Sequence, residues 1–287
     1  MPLPQQEIHS VFRSFGLFLD HLLLSIGDLT ELFEDCSLSY YEDARLPNYD
    51  VYGSHKQQWV YDSSIAPQPI VTVDGQVTND AIVDYLNGRV LLPKDPYGAE
   101  REVKATFTAK SLNLYMRNES ESVVFEHAIR STQERQLSDN LRPVEVNQYT
   151  APLISLAMAP FNPQPFAFGG IKEFKYMFKA AILTDSRYIT QGVCSLLAER
   201  CYETCFPNIV DPEAIPLTSL GDLKNTYEYP AAATTHHEGP KPYFGDIFAT
   251  PVQRVSENNR QLFAAIVDFD ITHTVFPKTT TPPSTTT

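Results

Sequence analysis

The stretch EFKYMFKAAILTDSRYITQGVCSLLAERC, residues 173–201, reads as a strand running into a helix. Over 173–184, Phe174, Tyr176, Phe178, Ala180 and Ile182 share one face, with Lys175 and Lys179 on the other. A period of two residues puts the apolar set on a buried face. Asp185 or Ser186 can then cap a helix through about Thr204, with Ile189, Val193, Leu196, Leu197 and Cys201 as its core stripe and Pro207 beyond its end. A second alternating run, QLFAAIVDFDITHTVF (261–276), carries Phe263, Ala265, Val267, Phe269 and Ile271 on one face. Strands usually run to about five or six residues, so this one is expected to project past its own core and meet another copy. The Pro-rich stretch between, 208–260, is expected to be a long loop with a short strand near Thr226–Tyr229. Together these segments predict an α+β layer over 149–276, a small sheet with one face under an amphipathic helix.

Working upstream, residues 36–148 read as a β-rich module. Strands are expected at 57–62, 69–75, 81–86, 89–92, 102–117 and 121–129, after a polar, Tyr-rich loop over 36–56. In EVKATFTAKSLNLYMR, Val103, Ala105 and Phe107 alternate with Lys104 and Thr106, giving one buried and one wet face. In VDYLNGRV (83–90), Asn87-Gly88 can supply the positive φ angles of a type I′ turn, predicting a tight hairpin over 81–92. Six short strands with turns between them suggest a small antiparallel sandwich or barrel, with Trp59, the sole tryptophan, as a core anchor.

At the N-terminus, residues 6–33 follow a helical rhythm through Ile8, Val11, Phe12, Phe15, Leu19, Leu22, Leu23 and Ile26, with Gly27 as an interruption and Asp28 capping a continuation through Leu32. An apolar stripe this wide must lie on another domain or another subunit. Residues 1–35 are therefore expected as a helical arm. Phe12, Phe15, Leu19 and Leu22, with Phe263, Val267 and Phe269 of the last strand, are the expected assembly contacts. The apolar run from Phe15 to Ile26 contains Asp20 and His21 and is too short for a bilayer span, and no leader is expected. Residues 277–287, PKTTTPPSTTT, are low-complexity and expected as a flexible tail.

Composition narrows the function classes. The chain has 287 residues and a net charge of −13, which disfavours duplex binding but suits a surface that DNA slides past. Cys194, Cys201 and Cys205, spaced by 7 and 4, fall on one helical stripe and read as small buried apolar residues. With Cys36 they form no CxxC pair, no zinc ribbon and no disulfide framework. P-loop, G-x-S-x-G and G-x-G-x-x-G motifs are absent, and FGG (168–170) reads as a turn. Two weaker constellations remain. TTHHEG (234–239) offers His236, His237 and Glu238 to a metal, as a hydrolase would need, although adjacent residues of an extended segment point apart. DFD (268–270) puts Asp268 and Asp270 on one strand face, more simply a solvated face. NES (118–120) matches a glycosylation acceptor by chance. No catalytic residue, cofactor or metal is assigned, and an enzyme is not expected. An aromatic-rich β half also leaves a carbohydrate-binding adhesion module as an alternative.

VDYLNGRVLL with EVKATFTAKSLNLYMRN resembles a β-module of tailed-bacteriophage structural proteins. FAFGGIKEFKYMFKAAILTDSRYITQGVCSLLAERC with AAIVDFDI resembles phage neck and tail-completion proteins, tail terminators among them. The resemblance spans roughly residues 57–276 as a pattern of elements; the 208–260 loop and the N-terminal helix depart from a minimal tail terminator. It implies a non-enzymatic virion protein, assembled in the host cytoplasm, that forms a homo-oligomeric ring, with a hexamer as one option. The ring would sit at the head–tail junction or tail terminus, contact other neck and tail proteins, let genomic DNA pass without specific binding and involve no membrane. A baseplate position is the alternative within that class.

Overall fold

Strand β12 (Lys172–Thr184) buries Phe174, Tyr176, Phe178, Ala180 and Ile182 on one face, as the alternation requires. In the computed structural model, which describes residues 4–26, 29–116, 123–124, 149–159, 162–165, 171–202, 204–237, 239–255 and 262–276, this strand is central to the largest sheet. β12 pairs antiparallel with β15 (Leu262–Val275) along its whole length, from Lys172 opposite Val275 to Thr184 opposite Phe263. The sheet runs β13 (Tyr243–Ala249), β15, β12, β10 (Leu153–Met158), β9 (Asn113–Met116), with β11 (Asn162–Pro165) on β12 and β14 (Gln253–Val255) on β15. Only β9 and β10 pair in parallel among the described strands.

Two helices lie on the apolar face of this sheet. Helix α1 (Pro4–Ile26) contributes Val11, Phe15, Leu19, Leu22 and Leu23 to the same core as the sheet face, and helix α2 (Arg187–Cys201) contributes Val193, Cys194, Leu197 and Cys201. Ser186 caps α2, its Oγ accepting from the Ile189 amide. Thr190, not Ile189, joins the buried stripe; Ile189 faces solvent because Thr190 Oγ1 bonds inward to Thr184 Oγ1 at 2.8 Å.

The β-rich half holds two four-stranded sheets. One runs β1 (Thr30–Ser37), β8 (Val103–Lys110), β4 (Ile70–Val73), β5 (Gln76–Val77); the other runs β2 (Ser39–Tyr41), β3 (Tyr49–Gly53), β7 (Arg89–Pro93), β6 (Ile82–Asp84). Tyr52, Val83 and Val90 of one meet Val71, Val103 and Phe107 of the other in a single core. Trp59 is fully buried there, its ring stacked 3.9 Å from Phe107 and its Nε1 donating to Ser54 Oγ. The fold is α+β, an N-terminal helix followed by several antiparallel sheets.

Several expectations are corrected. The helix does not continue to Leu32: residues 30–37 form β1, which pairs with β8. Residues 36–56 hold β2 and β3, and 57–62 hold only a bridge at Trp59. The run 102–117 splits at Ser111–Leu112, and β9 crosses to the large sheet, where Asn113 Nδ2 donates to Thr150 O and Oγ1. Of the strand expected at 121–129, the described residues Val123 and Val124 are helical. In place of a strand near Thr226–Tyr229, a short helix α3 (Tyr229–Thr235) forms, and β13 and β14 follow within the expected loop. The VDYLNGRV hairpin has a four-residue loop closed by Asp84 opposite Arg89; Gly88 has φ 61° but Asn87 does not share the positive φ of a type I′ turn. That geometry occurs instead at Asp74 (φ 51°) and Gly75 (φ 80°), between Val73 and its partner Gln76.

The cores do not follow the 1–35, 36–148 and 149–276 divisions. α1 belongs to the large sheet, β9 leaves the β-rich span for it, and Ile209, Tyr227, Tyr229 and Ala232 join the small sandwich. FGG, NES and the tail 277–287 lie outside the described residues.

Candidate functional site

The hairpin loop is held by charge. Arg89, next to Gly88, is buried with its guanidinium shared among three groups: Nε donates to Asp84 Oδ2 at 2.7 Å, and Nη1 donates to Asp43 Oδ2 at 2.9 Å and to Tyr41 OH at 3.2 Å. Burial alone disfavours the guanidinium charge; the hydrogen bonds with Tyr41 and Asp84 outweigh it and hold Arg89 above the ordinary arginine range. Asp84 also accepts from the Asn87 amide and, at 2.8 Å, from Asn87 Nδ2. Asp43, gripped first by the Arg45 side chain, sits well below the usual carboxylate range. Gly88 is required for space as well as angle, since a Cβ there would lie 2.0 Å from the Lys56 carbonyl oxygen.

The expected assembly contacts fall elsewhere than on a free surface. Phe15, Leu19, Leu22, Val267 and Phe269 are buried in the chain's own core, and Phe12 and Phe263 are half-buried. Phe12 meets Phe178 edge-on at 5.1 Å. The five buried residues are unavailable to another subunit because α1 folds back onto the face that 173–184 and 262–275 create. β15 does not project: β12 flanks it on one side and β13 and β14 on the other.

Polar pairs that could carry chemistry stay incomplete. His236 Nδ1 meets Asp211 Oδ2 at 3.1 Å, while His237 lies in a backbone bridge to Ile209; Glu238 is outside the described residues. Among the described residues no group of three or more His, Cys, Asp or Glu is placed to hold a metal ion. Asp268 and Asp270 share the outer face of the large sheet, and burial, with Asp246 and Asp268 nearby, raises Asp270 while Lys175 partly offsets this. Sequence reading missed His21–Asp62 (2.9 Å), which joins α1 to the sandwich. Ser64 donates to the carboxylate rather than to the imidazole, so no nucleophile–base–orienter order arises. It also missed Cys36 beside His55 (4.0 Å), where burial raises the thiol instead of activating it. Long-range pairs such as these leave no signal in residue spacing.

Two sheet faces stay open. On the four-stranded sheet, Leu32 opposite Thr108, Ile70 opposite Thr106 and Val77 opposite Thr72 all point outward, exposed by 57%, 53% and 67%. On the large sheet Met177 and Phe248 are exposed among Asp268, Asp270 and Lys179. The β1 edge beside the first face carries Glu31, Glu34 and a bulge at Asp35 (φ 44°), features that block strand addition. No helix among the described residues is long and apolar enough to cross a membrane. No protein-family model matches the chain, and no curated protein matches it.

Proposed function

We propose that the chain is a non-enzymatic structural subunit of a tailed-phage virion that builds a homo-oligomeric ring in the neck, at the head–tail junction or tail terminus. The observation that carries the assembly part is that Leu32, Ile70 and Val77, each more than half exposed, share one outward sheet face. A head-to-tail ring requires two different complementary surfaces. The Met177–Phe248 face of the large sheet, rimmed by acidic residues, is the second. Subunits would meet through sheet faces, because the β1 edge carries acids and a bulge. The phage assignment rests on the resemblance of 57–276 to neck and tail-completion proteins. A net charge of −13 suits a lumen through which genomic DNA passes without sticking. Other neck and tail proteins would bind the two ends of the ring.

Electron microscopy of the purified full chain tests the reading. Closed rings of one size support it, and a field of single subunits at the highest soluble concentration contradicts it. Immunogold labelling of phage particles separates neck from baseplate.

A further inference from the structure

His273 is a histidine in an apolar setting. It lies on β15, 4% exposed, on the face that carries Phe269 and Ile271, and its Nδ1 is buried without a hydrogen-bond partner. Phe174 of β12 stands directly opposite, with Tyr176 and Lys172 to either side on the same face, Lys172 exposed at the strand end. On the other flank the last β13 pair is Tyr243 with Thr272, so the chain entering β13 continues past His273 as Pro242, Lys241 and Pro240, with Lys241 exposed. The helices on this face keep their charges away from the ring. α1 exposes His9, directs Arg13 to the Ile209 carbonyl and pairs Asp20 and His21 with Lys110 and Asp62; α2 exposes Arg187, Glu199 and Arg200. Burial disfavours a charge on His273, the Pro240 carbonyl only partly offsets this, and no carboxylate among the described residues does so.

Protonation turns a ring with one N–H into a cation with two, and a buried cation without an acceptor or water is costly. The strand beside it is the easier one to move. β13 is the terminal strand of the large sheet and meets β15 in two short blocks, 243–244 and 247–249, with a register shift between them. β12, on the other flank, pairs with β15 along its whole length. We propose that His273 is an acid-operated latch, whose protonation releases Pro240–Ala249 from β15 and lets water reach the ring. The closed form keeps its full stability above the ordinary histidine value, about 6.5, and loses it as pH falls from there toward the lower value of the buried ring. β13 carries Phe248, so on the ring reading above acid would also loosen the second assembly face; the release itself does not depend on that reading.

Hydrogen–deuterium exchange of the full chain, corrected for the intrinsic pH dependence of amide exchange, tests this. From about pH 7.5 to about pH 5.5 the opening of residues 243–249 should rise about tenfold, the factor for one pH unit below the ordinary histidine value, while Leu153–Met158 of β10 stays unchanged. His273→Gln does not titrate and leaves every other histidine in place, so it should abolish the rise. His273→Phe, which sets an apolar ring opposite Phe174, is the second variant, and the comparison of β13 with β10 in the parent chain needs neither. A rise absent from 243–249, equal in 153–158, or retained in either variant overturns the proposal.

Discussion

The ring of Phe15 in the N-terminal helix lies 5.2 Å from the ring of Phe269 in the last strand, edge to face. The contact closes the fold: Phe15 also meets Phe178, Phe206 and Phe244 at 5.1 to 5.8 Å, and none of its surface reaches solvent. The helix is part of the core and not an arm held out for a neighbour. Phe15→Ala should therefore destabilise the isolated subunit by about 3–5 kcal/mol, the cost of emptying a buried aromatic site. Denaturant unfolding of dilute protein measures this. A loss seen only at concentrations where subunits associate would place Phe15 in an interface instead.

Arg89 neutralises the buried Asp84 and adds to Arg45 at Asp43, so Arg89→Met leaves Asp84 without its cation. The expected cost is about 3–5 kcal/mol, since removing one member of a buried pair strands the other charge. A thermal midpoint equal to that of the parent chain would show that water or Arg45 takes over the role.

Two glycines separate backbone angle from space. Gly75 has φ 80° with nothing near its missing side chain, so Gly75→Ala should cost about 1–2 kcal/mol, the left-handed penalty alone. Gly88 has φ 61° and faces the Lys56 and Gln57 carbonyls, so Gly88→Val should exceed that cost and disorder the hairpin loop. Similar unfolding midpoints for the two variants would contradict the close approach seen at Gly88.

Acid should unfold the protein in a particular window. Asp43 is held below its ordinary value by Arg45 and Arg89, and Asp62 is also depressed: its burial acts upward, but hydrogen bonds from His21 and Ser64 prevail. A carboxylate with a depressed folded pKa contributes stability that is complete above its unfolded value, about 3.9, and is lost as pH falls through the folded one. Stability should thus fall below about pH 4. Asp62→Asn should lower stability at neutral pH and flatten that decline. Asp270 has the opposite sign, its pKa raised by burial and by Asp246 and Asp268, so Asp270→Asn should raise the neutral-pH midpoint. Chemical denaturation from pH 3 to 8 reads all three.

Local periodicity made much of this fold legible. The alternation in 173–184 and 262–275 gave both long strands and their inward faces, and Ser186 marked the start of α2. Partner choice was invisible. Nothing near Lys110 in sequence announces Asp20, and nothing in LNLYMR indicates that its strand leaves one sheet for another. The length of 261–276 suggested projection, but length only states how much strand exists; β12, one residue shorter than β15, supplies the partner. Asn-Gly at 87–88 carried the stronger turn signal, yet the Asp84–Arg89 clamp favours a four-residue loop, and the two-residue turn formed at Asp74-Gly75. The candidate assembly face was illegible for a related reason: Leu32, Ile70 and Val77 come from three strands and share a face only through register.

The central claim is that the outward face of the four-stranded sheet builds a ring, and sedimentation velocity of the full chain against an Ile70→Glu, Val77→Lys double variant tests it most directly. Both side chains are solvent-exposed, so the variant should keep the parent's unfolding midpoint within about 0.5 kcal/mol in stability. The account predicts one discrete oligomer for the parent chain and a folded monomer for the variant. A parent chain that sediments as a monomer at every concentration, or a variant that assembles as the parent does, would contradict it.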